Sequence, residues 1–361
     1  MRVVLAGGGT AGHIEPALST ADAIRRAEPD AHVTMLGTER GLETRLVPER
    51  GYELALIPPV PLPRRPTPEL LRLPLRVRAA VHATAAVLRS HDADVLVGFG
   101  GYVALPAYLA ARRLGVPIVV HEANAKAGLA NRIGARFTEH VAVASEHTAL
   151  PHAQQIGIPL RRSVTGLDRE AVRGEAHSYF GLDPDRLTVL AFGGSQGARR
   201  INEAVDGALD DILGTGAQVL HAVGAANAGE FRGREGYVPV PYIDRMDLAY
   251  AAADIAVCRA GAITCAELAA VGLPAVYVPL PHGNGEQRFN AEPTVSAGGG
   301  LLVRDSELTP QWLRSELVPL LGDAARLRAM GAPAANLGRR DADDRLVAMI
   351  RRAMSPSTVG G

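Results

Sequence analysis

A histidine directly follows a glycine-rich turn near the amino-terminal end of the chain. Gly7, Gly9 and Gly12 satisfy the pattern G-x-G-x-x-G after an apolar run, and His13 is the next residue. Glycines between a strand and a helix let backbone amides converge on a phosphate, with the helix dipole behind them. An imidazole that titrates near neutral pH suits proton transfer. We therefore predict a ligand loop with His13 as the candidate general base, while a capping or core role for this histidine stays open.

The same glycines leave a second interpretation open. A dinucleotide-binding loop has this pattern when an acidic residue ends the second strand, and Glu39 lies near that place. An NAD-dependent oxidoreductase is therefore an alternative. The position of His13 argues against it, because a dinucleotide loop has no use for an imidazole directly after its third glycine.

A second glycine turn, GGSQGA at Gly193–Ala198, also stands between an apolar run and a helical pattern. The Ser195 hydroxyl adds a donor for an anion there, although a purely structural tight turn fits as well. Further along, a helix is predicted from about Ala262, and Glu267 lies in it among apolar neighbours. A carboxylate in such a place can accept both hydroxyls of a ribose, whereas an ordinary mid-helix Glu faces solvent.

Polar residues follow another predicted strand in the motif HEANAKAGLANR, His121–Arg132. They lie at the carboxyl end of that strand, where open α/β sheets bind ligands. Ala125 replaces the second His of H-E-x-x-H, so this is not a metalloprotease helix. A third glycine turn, GFGGYVALPA at Gly98–Ala107, supports the same edge of the sheet. Glu122 is the second candidate for the base, and a satisfied loop network is the alternative.

Aspartate triplets of the D-x-D type, which hold metal-bound sugar nucleotides, occur three times in the chain. Two precede predicted strands and one opens a predicted helix, which are the wrong ends for a ligand site. We interpret them as turns and caps, so neither a metal nor another cofactor is predicted. The triplets are Asp92–Asp94, Asp183–Asp185 and Asp341–Asp343.

These residues must be positioned by alternating strands and helices. Short β-branched runs recur with helical patterns between them, which is typical of parallel α/β sheets. The pattern restarts after the turn-rich segment Ile156–Asp168, where we place a linker. The predicted fold class is α/β, with two Rossmann-like, doubly wound parallel sheets and a last helix over Asp341–Met354. The predicted strands are Arg2–Ala6, His32–Leu36, Glu53–Ile57, Asp94–Gly98, Pro117–His121, His140–Ala144, Leu187–Phe192, Gln218–Val223, Tyr237–Val240, Asp254–Cys258, Ala275–Pro279 and Leu301–Arg304.

Composition limits the class of protein. The 361 residues are enough for two domains of roughly 150 residues each. Because 38 Lys and Arg balance 38 Asp and Glu, there is no overall basic field, and no nucleic-acid partner is predicted. Cys258 and Cys265 are too few for a disulfide framework, which favours a reducing compartment. The sequence shows no secretion signal and no bilayer-spanning stretch, so a cytosolic protein is predicted.

The segment Val60–Ser90 differs from its surroundings. It begins with prolines and continues into an apolar helical pattern that carries several arginines. An apolar and basic surface helix suits the face of an anionic membrane. The arginines are Arg64, Arg65, Arg72, Arg76 and Arg78.

Five motifs together resemble one known family. They occur in the family's order and span nearly the whole chain. They are similar to the MurG family, glycosyltransferases of family 28 that move N-acetylglucosamine from UDP-N-acetylglucosamine to undecaprenyl-pyrophosphoryl-N-acetylmuramyl-pentapeptide. The motifs are GGGTAGHIEPAL, GFGGYVALPA, HEANAKAGLANR, GGSQGARRIN and CRAGAITCAELAAVGLPAVYVPLPHGNGEQRFNA.

The resemblance implies a GT-B architecture, in which two Rossmann-like domains face a central cleft. Residues 1–160 would bind the acceptor and face the membrane, and residues 161–340 would bind UDP-N-acetylglucosamine. Helix 341–354 would pack back on the first domain, and 355–361 would be a disordered tail. The implied role is peptidoglycan synthesis, hence cell-wall biogenesis, cell shape and cell division. The implied location is the cytoplasmic face of the bacterial cell membrane, as a peripheral protein.

The resemblance also implies roles for particular residues. One group would approach the sugar, a second would meet the diphosphate, and a third would line the nucleotide. The chain departs from the family pattern at two positions, with Ile158 in place of an Asn before Pro and Glu286 in place of the first Gln of a pair. The sugar contacts are Thr10, Ala11, Gly12, Asn124 and Gln287; the diphosphate contacts are Arg161 and Ser195; the nucleotide contacts are the Ile243 backbone on uracil, then Ala262, Ile263, Thr264, Cys265, Ala266 and Glu267, with Glu267 on the ribose.

The predicted chemistry is a single inverting displacement. The 4-hydroxyl of the acceptor muramyl sugar attacks the anomeric carbon, gives a β-1,4 link and releases UDP, with His13 as the base and Glu122 as the second choice. Loop amides, helix N-termini and Arg161 would stabilise the departing diphosphate without a bound ion. The alternatives are another GT-B enzyme or a sugar-nucleotide epimerase, a non-catalytic nucleotide-binding scaffold and the oxidoreductase.

Overall fold

The computed structural model describes residues 1–60, 73–194, 197–281 and 285–355, and the chain forms two compact units. Unit 1 comprises Met1–Arg161 and Arg340–Gly361, and unit 2 comprises Arg162–Arg339. Ser195, much of the arginine-rich segment before position 73 and all but the first residue of the predicted tail lie outside the described residues.

Unit 1 is built on a seven-stranded sheet in which all strands are parallel. The strand order is β3-β2-β1-β4-β5-β6-β7, so the chain order reverses between β1 and β4. The strands are β1 (Arg2–Gly7), β2 (His32–Gly37), β3 (Glu53–Leu56), β4 (Val95–Gly100), β5 (Ile118–Glu122), β6 (Val141–Val143) and β7 (Ala153–Gln155). The helices are α1 (Ala11–Ala27), α2 (Glu43–Glu49), α3 (Leu73–Ser90), α4 (Ala104–Leu114), α5 (Leu129–Gly134) and α15 (Ala342–Met354).

The sheet of unit 1 has an apolar core on each face. Val3 and Leu5 point into one core, which α1 and α15 cover, and Val4 and Ala6 point into the other, which α3 and α4 cover. Successive side chains of a strand point to opposite faces, so a strand buried on both sides reads as a continuous apolar run. This is why RVVLAG predicts its strand so clearly.

Unit 2 repeats the design with six parallel strands in the order β10-β9-β8-β11-β12-β13. Its chain order reverses between β8 and β11. The strands are β8 (Thr188–Phe192), β9 (Gln218–Ala222), β10 (Tyr237–Val240), β11 (Ile255–Cys258), β12 (Ala275–Tyr277) and β13 (Gly300–Leu302). The helices are α6 (Arg162–Thr165), α7 (Arg169–Phe180), α8 (Arg199–Gly207), α9 (Leu209–Gly214), α10 (Met246–Ala252), α11 (Ala262–Val271), α12 (Glu286–Ser296), α13 (Pro310–Leu321) and α14 (Ala324–Asn336), with short 3₁₀ turns at Ala225–Asn227 and Asp305–Glu307.

The fold class is confirmed: each unit is a doubly wound parallel sheet with helices on both faces. Every predicted strand is present with slightly different ends, and the helix expected from about Ala262 begins there. One strand, β7, was not predicted, because its three residues are exposed and carry no apolar pattern. Within the described ranges, no helix combines the length and the hydropathy that a bilayer crossing requires.

Candidate functional site

Two glycine turns meet at the carboxyl edge of the unit 1 sheet, at the point where the strand order reverses. Open α/β sheets bind ligands at such a point. The first turn follows β1, and the second follows β4. They touch closely, because a Cβ atom on Gly101 would lie 2.5 Å from the carbonyl oxygen of Gly8. Gly9, Gly100 and Gly101 all have positive φ, which glycine adopts without strain.

His13 lies in the first turn of α1 and is half-buried. Its Nδ1 is 2.9 Å from the Thr10 Oγ1, and its backbone N–H donates to the Thr10 carbonyl at 3.0 Å. The ring packs against the second turn, where a Cβ on Gly100 would lie 3.1 Å from His13 Cδ2. Burial lowers the pKa of His13 below its usual value, and the charge of Glu122 opposes part of this shift. The imidazole is therefore neutral at neutral pH and able to accept a proton.

Glu122 is almost fully buried, and its carboxylate organises the loop after β5. Oε1 accepts from the Asn124 backbone N–H at 2.9 Å and from the Asn124 amide at 3.2 Å. Oε2 accepts from Gly128 N–H at 2.9 Å and from Asn131 Nδ2 at 3.0 Å. The Tyr108 hydroxyl in turn donates to Asn131 Oδ1 at 2.7 Å. A carboxylate with four donors favours a positioning role over proton transfer, and it places Asn124 near the same edge.

The first glycine turn is not an open phosphate cradle. The N–H of Gly9 donates to the carboxylate of Glu43 at 3.0 Å, so one of the expected phosphate donors is occupied by an acidic side chain. The prediction that this loop presents its amides to a phosphate is therefore wrong for Gly9. Glu39, the residue considered for a dinucleotide ribose, is exposed, which weakens the oxidoreductase alternative.

Arg161 ends the first segment of unit 1 and reaches back to α1. Its guanidinium makes a bidentate ion pair with Glu15, at 2.9 Å from Nε and 2.6 Å from Nη2. Arg50 donates to the same carboxylate at 3.3 Å. The sequence motif did not reveal this partner, because Glu15 and Arg161 are 146 positions apart. The first-loop residues Thr10, Ala11 and Gly12 are exposed.

The corresponding edge of unit 2 also carries two glycine turns, after β8 and after β11. Gly197 must be glycine, because its φ is +75° and a Cβ there would lie 2.1 Å from the Val223 carbonyl oxygen. The helix that follows, α8, has no side-chain cap at Ala198. Within the described part of this turn, no N-cap side chain satisfies the first amides of α8. Ser195, expected in this turn, lies outside the described residues.

Helix α11 begins at the second of these turns with Gly261 as its N-cap and no side-chain cap. Ala262, Ile263 and Thr264 are half-exposed at its first turn. Glu267 follows one turn later, half-buried, and the hydroxyl of the buried Tyr250 donates to its Oε2 at 2.7 Å. Of the remaining predicted positions, Cys265 is buried and Ala266 is half-exposed.

The other residues predicted to contact the sugar nucleotide lie in loops and helix starts that follow strands of unit 2. Ile243 is buried in the loop before α10. Gln287 is in the first turn of α12, which follows β12, and its Oε1 accepts the Leu280 N–H at 2.9 Å. The Asn290 amide donates to the Ala260 carbonyl at 3.3 Å, which joins α12 to the turn before α11. Ile243 thus follows β10, Ala262–Glu267 follow β11 and Gln287 follows β12, so these predicted residues come after the carboxyl ends of strands in one parallel sheet.

His221, which the sequence analysis did not single out, supports the glycine turn that follows β8. His221 in β9 is fully buried, with Nε2 at 3.1 Å from Asn202 Oδ1 and Nδ1 at 3.1 Å from the Tyr237 hydroxyl. The Asn202 amide donates to the Val223 carbonyl, the group against which Gly197 packs. Burial lowers the pKa of His221 to about 4.

The aspartate triplets make ion pairs and turns. The predicted cap at the third is wrong, because Asp341 at the start of α15 makes no side-chain cap hydrogen bond. Asp92 and Asp94 accept from Arg2 at 3.3 Å and 2.7 Å, and Asp183 accepts from the Asp185 N–H in a turn. Asp343 pairs with Arg26 at 2.6 Å. Among the described residues, no three His, Cys, Asp or Glu side chains are grouped so that they could hold a metal ion.

The fold and the site define a class. The chain has two doubly wound parallel sheets, and glycine turns follow the strands at which the strand order of each sheet reverses. His13 lies at this point in unit 1, and α11, which has no side-chain cap, begins there in unit 2. This is the architecture of the GT-B glycosyltransferases. A solved structure described as MurG of Acinetobacter baumannii shares this fold, with a TM-score of 0.78 and 27% identity over 97% of this chain and 99% of that one.

Residues 3–143 match the glycosyltransferase family 28 N-terminal domain, and residues 188–346 match the family 28 C-terminal domain. The chain belongs to glycosyltransferase family 28. A curated relative from Streptomyces coelicolor is 62% identical over 98% of this chain and 99% of its own length. Another, from Acidothermus cellulolyticus, is 60% identical over 99% of this chain and 100% of its own length. Both are named UDP-N-acetylglucosamine--N-acetylmuramyl-(pentapeptide) pyrophosphoryl-undecaprenol N-acetylglucosamine transferase.

Proposed function

We propose that this chain is the N-acetylglucosaminyltransferase of peptidoglycan synthesis that converts lipid-linked N-acetylmuramyl-pentapeptide into the β-1,4-linked disaccharide, with UDP-N-acetylglucosamine as donor. The observation that carries this proposal is identity of 62% over nearly the full length of a relative with that name. The geometry agrees with it, because a neutral imidazole lies at the ligand-binding edge of unit 1 and uncapped helix amides lie at that of unit 2.

The donor is proposed to bind unit 2. Glu267, oriented by Tyr250, accepts the ribose hydroxyls, and the first amides of α11 and α8 face the diphosphate with positive helix ends. Ser195 adds a hydroxyl to the second of these, and the backbone of Ile243 meets uracil. Ala262–Ala266 line the nucleotide along the first turn of α11.

Gln287 is proposed to recognise the sugar of the donor. Its Oε1 is engaged by the Leu280 N–H, which leaves its amide N–H groups as the sugar-facing donors. Glu286, in the place of the first Gln of the family pair, accepts hydrogen bonds from sugar hydroxyls but cannot donate them when ionised. The pair therefore offers one donor side chain and one acceptor side chain.

The acceptor is proposed to bind unit 1, where His13 removes the proton of the attacking 4-hydroxyl. As the new C–O bond forms at the anomeric carbon, the bond to the UDP oxygen breaks and the electron pair leaves with the diphosphate. Thr10 orients the imidazole through Nδ1, and Thr10, Ala11, Gly12 and Asn124 approach the sugar of the donor beside it. Glu122 holds the Asn124 loop rather than taking the proton.

Arg161 is proposed to neutralise charge on the departing diphosphate. Its guanidinium already forms a fork with a carboxylate, and a diphosphate presents the same pair of oxygens to the same N–H groups. Glu15 would therefore compete with the diphosphate for Arg161.

The outer face of α3 is proposed to rest on an anionic membrane surface, as a peripheral attachment at the cytoplasmic face. Leu75 is 70% exposed, and Arg78, His82 and Arg89 are exposed on the same helix. Together with Arg113 of α4 they line a depression of about 560 Å³. The helix contains no acidic residue, so an apolar and cationic face meets the lipid.

The test is incubation of the purified protein with UDP-N-acetylglucosamine and lipid-linked muramyl-pentapeptide, with UDP release and disaccharide product as readouts. A positioned base is worth about 10²- to 10⁴-fold, so His13→Ala should lower kcat by that order while UDP affinity stays unchanged. His147→Ala, at an exposed histidine of the same unit, is the control. Binding of a nicotinamide nucleotide without UDP release would instead support the oxidoreductase.

A further inference from the structure

Three glycines surround one buried carboxylate next to the first glycine turn. Glu43 opens α2 and is fully buried. A Cβ atom would lie 1.7 Å from its Oε2 if placed on Gly41, 2.5 Å from its Cγ if placed on Gly37, and 3.0 Å from its Oε1 if placed on Gly8. Side chains larger than hydrogen at Gly41 and Gly37 would displace the carboxylate. The chain thus leaves a fitted space for this one side chain.

The carboxylate of Glu43 receives its hydrogen bonds from neutral donors. Oε2 accepts the Gly9 N–H at 3.0 Å. Oε1 accepts the Thr38 N–H at 2.9 Å and the Thr38 hydroxyl at 3.1 Å. Among the ion pairs of the described residues, none involves Glu43. A buried carboxylate is costly unless its oxygens are satisfied, so these bonds fix the Gly9 backbone firmly.

Gly9 is the residue before the segment that carries the proposed base. Thr10 follows it, and Thr10 contacts the His13 ring through its hydroxyl and the His13 amide through its carbonyl. On its other side the turn abuts Gly101 through the Gly8 carbonyl. The loop is therefore held between Glu43 and the second glycine turn, and both contacts fix the position of His13.

We propose that Glu43 is a positioning residue for the transfer reaction: by holding Gly9, it sets the place of Thr10 and His13 against the acceptor hydroxyl. The proposal rests on the proposed function, since it assigns the proton transfer to His13. It also assigns the chemistry of the loop. A carboxylate behind Gly9 repels a phosphate there, so the first turn serves uncharged sugar hydroxyls.

The first test is Glu43→Gln, which keeps the side-chain volume but has only one acceptor oxygen. One of the two amides, Gly9 or Thr38, then faces an NH₂ group, and the loop shifts. Because misplacement of a catalytic group by about 1 Å costs on the order of 10²-fold, we expect kcat to fall by about 10- to 100-fold. The Kd of UDP should stay within about twofold, since the uracil and ribose contacts are assigned to unit 2. Glu49→Gln, at an exposed glutamate of the same helix, is the matched control and should behave as wild type.

Thr38→Val is the milder variant, and it tests the positioning role of Glu43 if Glu43→Gln does not fold. It removes one hydroxyl donor and keeps the backbone, so kcat should fall by about 2- to 10-fold with an unchanged Kd of UDP. A wild-type kcat in this variant, or a Kd of UDP raised by the same factor as the loss in kcat, would overturn the positioning role.

Combination with His13→Ala separates positioning from general destabilisation. If Glu43 acts through His13, Glu43→Gln should cost little further activity in the His13→Ala background. Equal losses in both backgrounds would overturn the proposal. Near-normal turnover of His13→Ala would refute the base assignment of the proposed function. Low turnover of His13→Ala beside normal turnover of Glu43→Gln would refute the positioning role alone.

Discussion

Acid should weaken unit 2 in part through His221, a buried histidine beneath the glycine turn that follows β8. In the neutral tautomer, the Nε2–H of His221 donates to Asn202 Oδ1, and Nδ1 accepts from the Tyr237 hydroxyl. Both ring nitrogens are therefore used when the ring is uncharged. Burial holds the pKa of His221 at about 4 in the folded protein, against 6.5 for an ordinary histidine.

The sign and size of the effect follow from these two pKa values. Between them the unfolded chain binds a proton and the folded chain does not, so stability is fully present above the unfolded pKa and is lost as the pH falls towards 4. With about 1.4 kcal/mol for each pKa unit, the total is about 3 kcal/mol. About 2 kcal/mol of it is lost between about pH 7.5 and about pH 5, which corresponds to a fall in Tm of about 4–8 °C for a unit of this size.

The chain offers a local probe for the measurement. Trp312 is its single tryptophan and packs beside the unit 2 core on α13, so its fluorescence follows the unfolding of unit 2. His221→Gln removes the titration, and its stability should change less with pH than the wild type by about 2 kcal/mol over that interval. His147→Gln should keep the wild-type pH dependence. Parallel curves for wild type and His221→Gln would refute the assignment of this acid sensitivity to His221.

Three further predictions concern the proposed reaction. Because the base must be unprotonated and burial lowers the pKa of His13, the acid limb of kcat/KM should lie below pH 6.5; a limb above that value would contradict the role. Glu267→Ala should raise the Kd of UDP about tenfold or more in calorimetry, and an unchanged Kd would remove it from the ribose. Reversing charge at Arg78 and Arg89 should weaken sedimentation with anionic vesicles by at least about tenfold at low salt, while Arg328→Glu in unit 2 should not; equal binding of both would contradict the lipid-facing helix.

The sequence predicted the sheets because their strands are buried on both faces. Runs such as RVVLAG and LTVLAF are short and mostly apolar and have glycines directly after them, which favours a buried strand that ends in a turn. Strand β7 was not predicted because an exposed edge strand of three residues has no apolar pattern in the sequence. Its pairing with β6 depends on the neighbouring backbone rather than on its own side chains.

The sequence predicted part of the candidate site. The contacts that it did not predict are tertiary contacts between distant segments. His13 and Glu267 could be singled out because a motif or an apolar neighbourhood marks them locally. Glu43 was missed because its donors lie in two other segments, one of them 34 positions away. Glu122 was expected to compete for the role of base, and only the folded loop reveals that its oxygens accept four hydrogen bonds. Sequence spacing does not reveal which acid has its lone pairs occupied.

The return of the chain to unit 1 has a consequence for biosynthesis. Helix α15 supplies Leu346, Met349 and Ile350 to the core under α1, and Arg351 pairs with Glu28 at 3.0 Å. Unit 2 is thus encoded inside unit 1. During synthesis on the ribosome, unit 1 therefore starts first and is completed last. Its apolar surface beside α1 stays exposed until α15 has emerged from the exit tunnel.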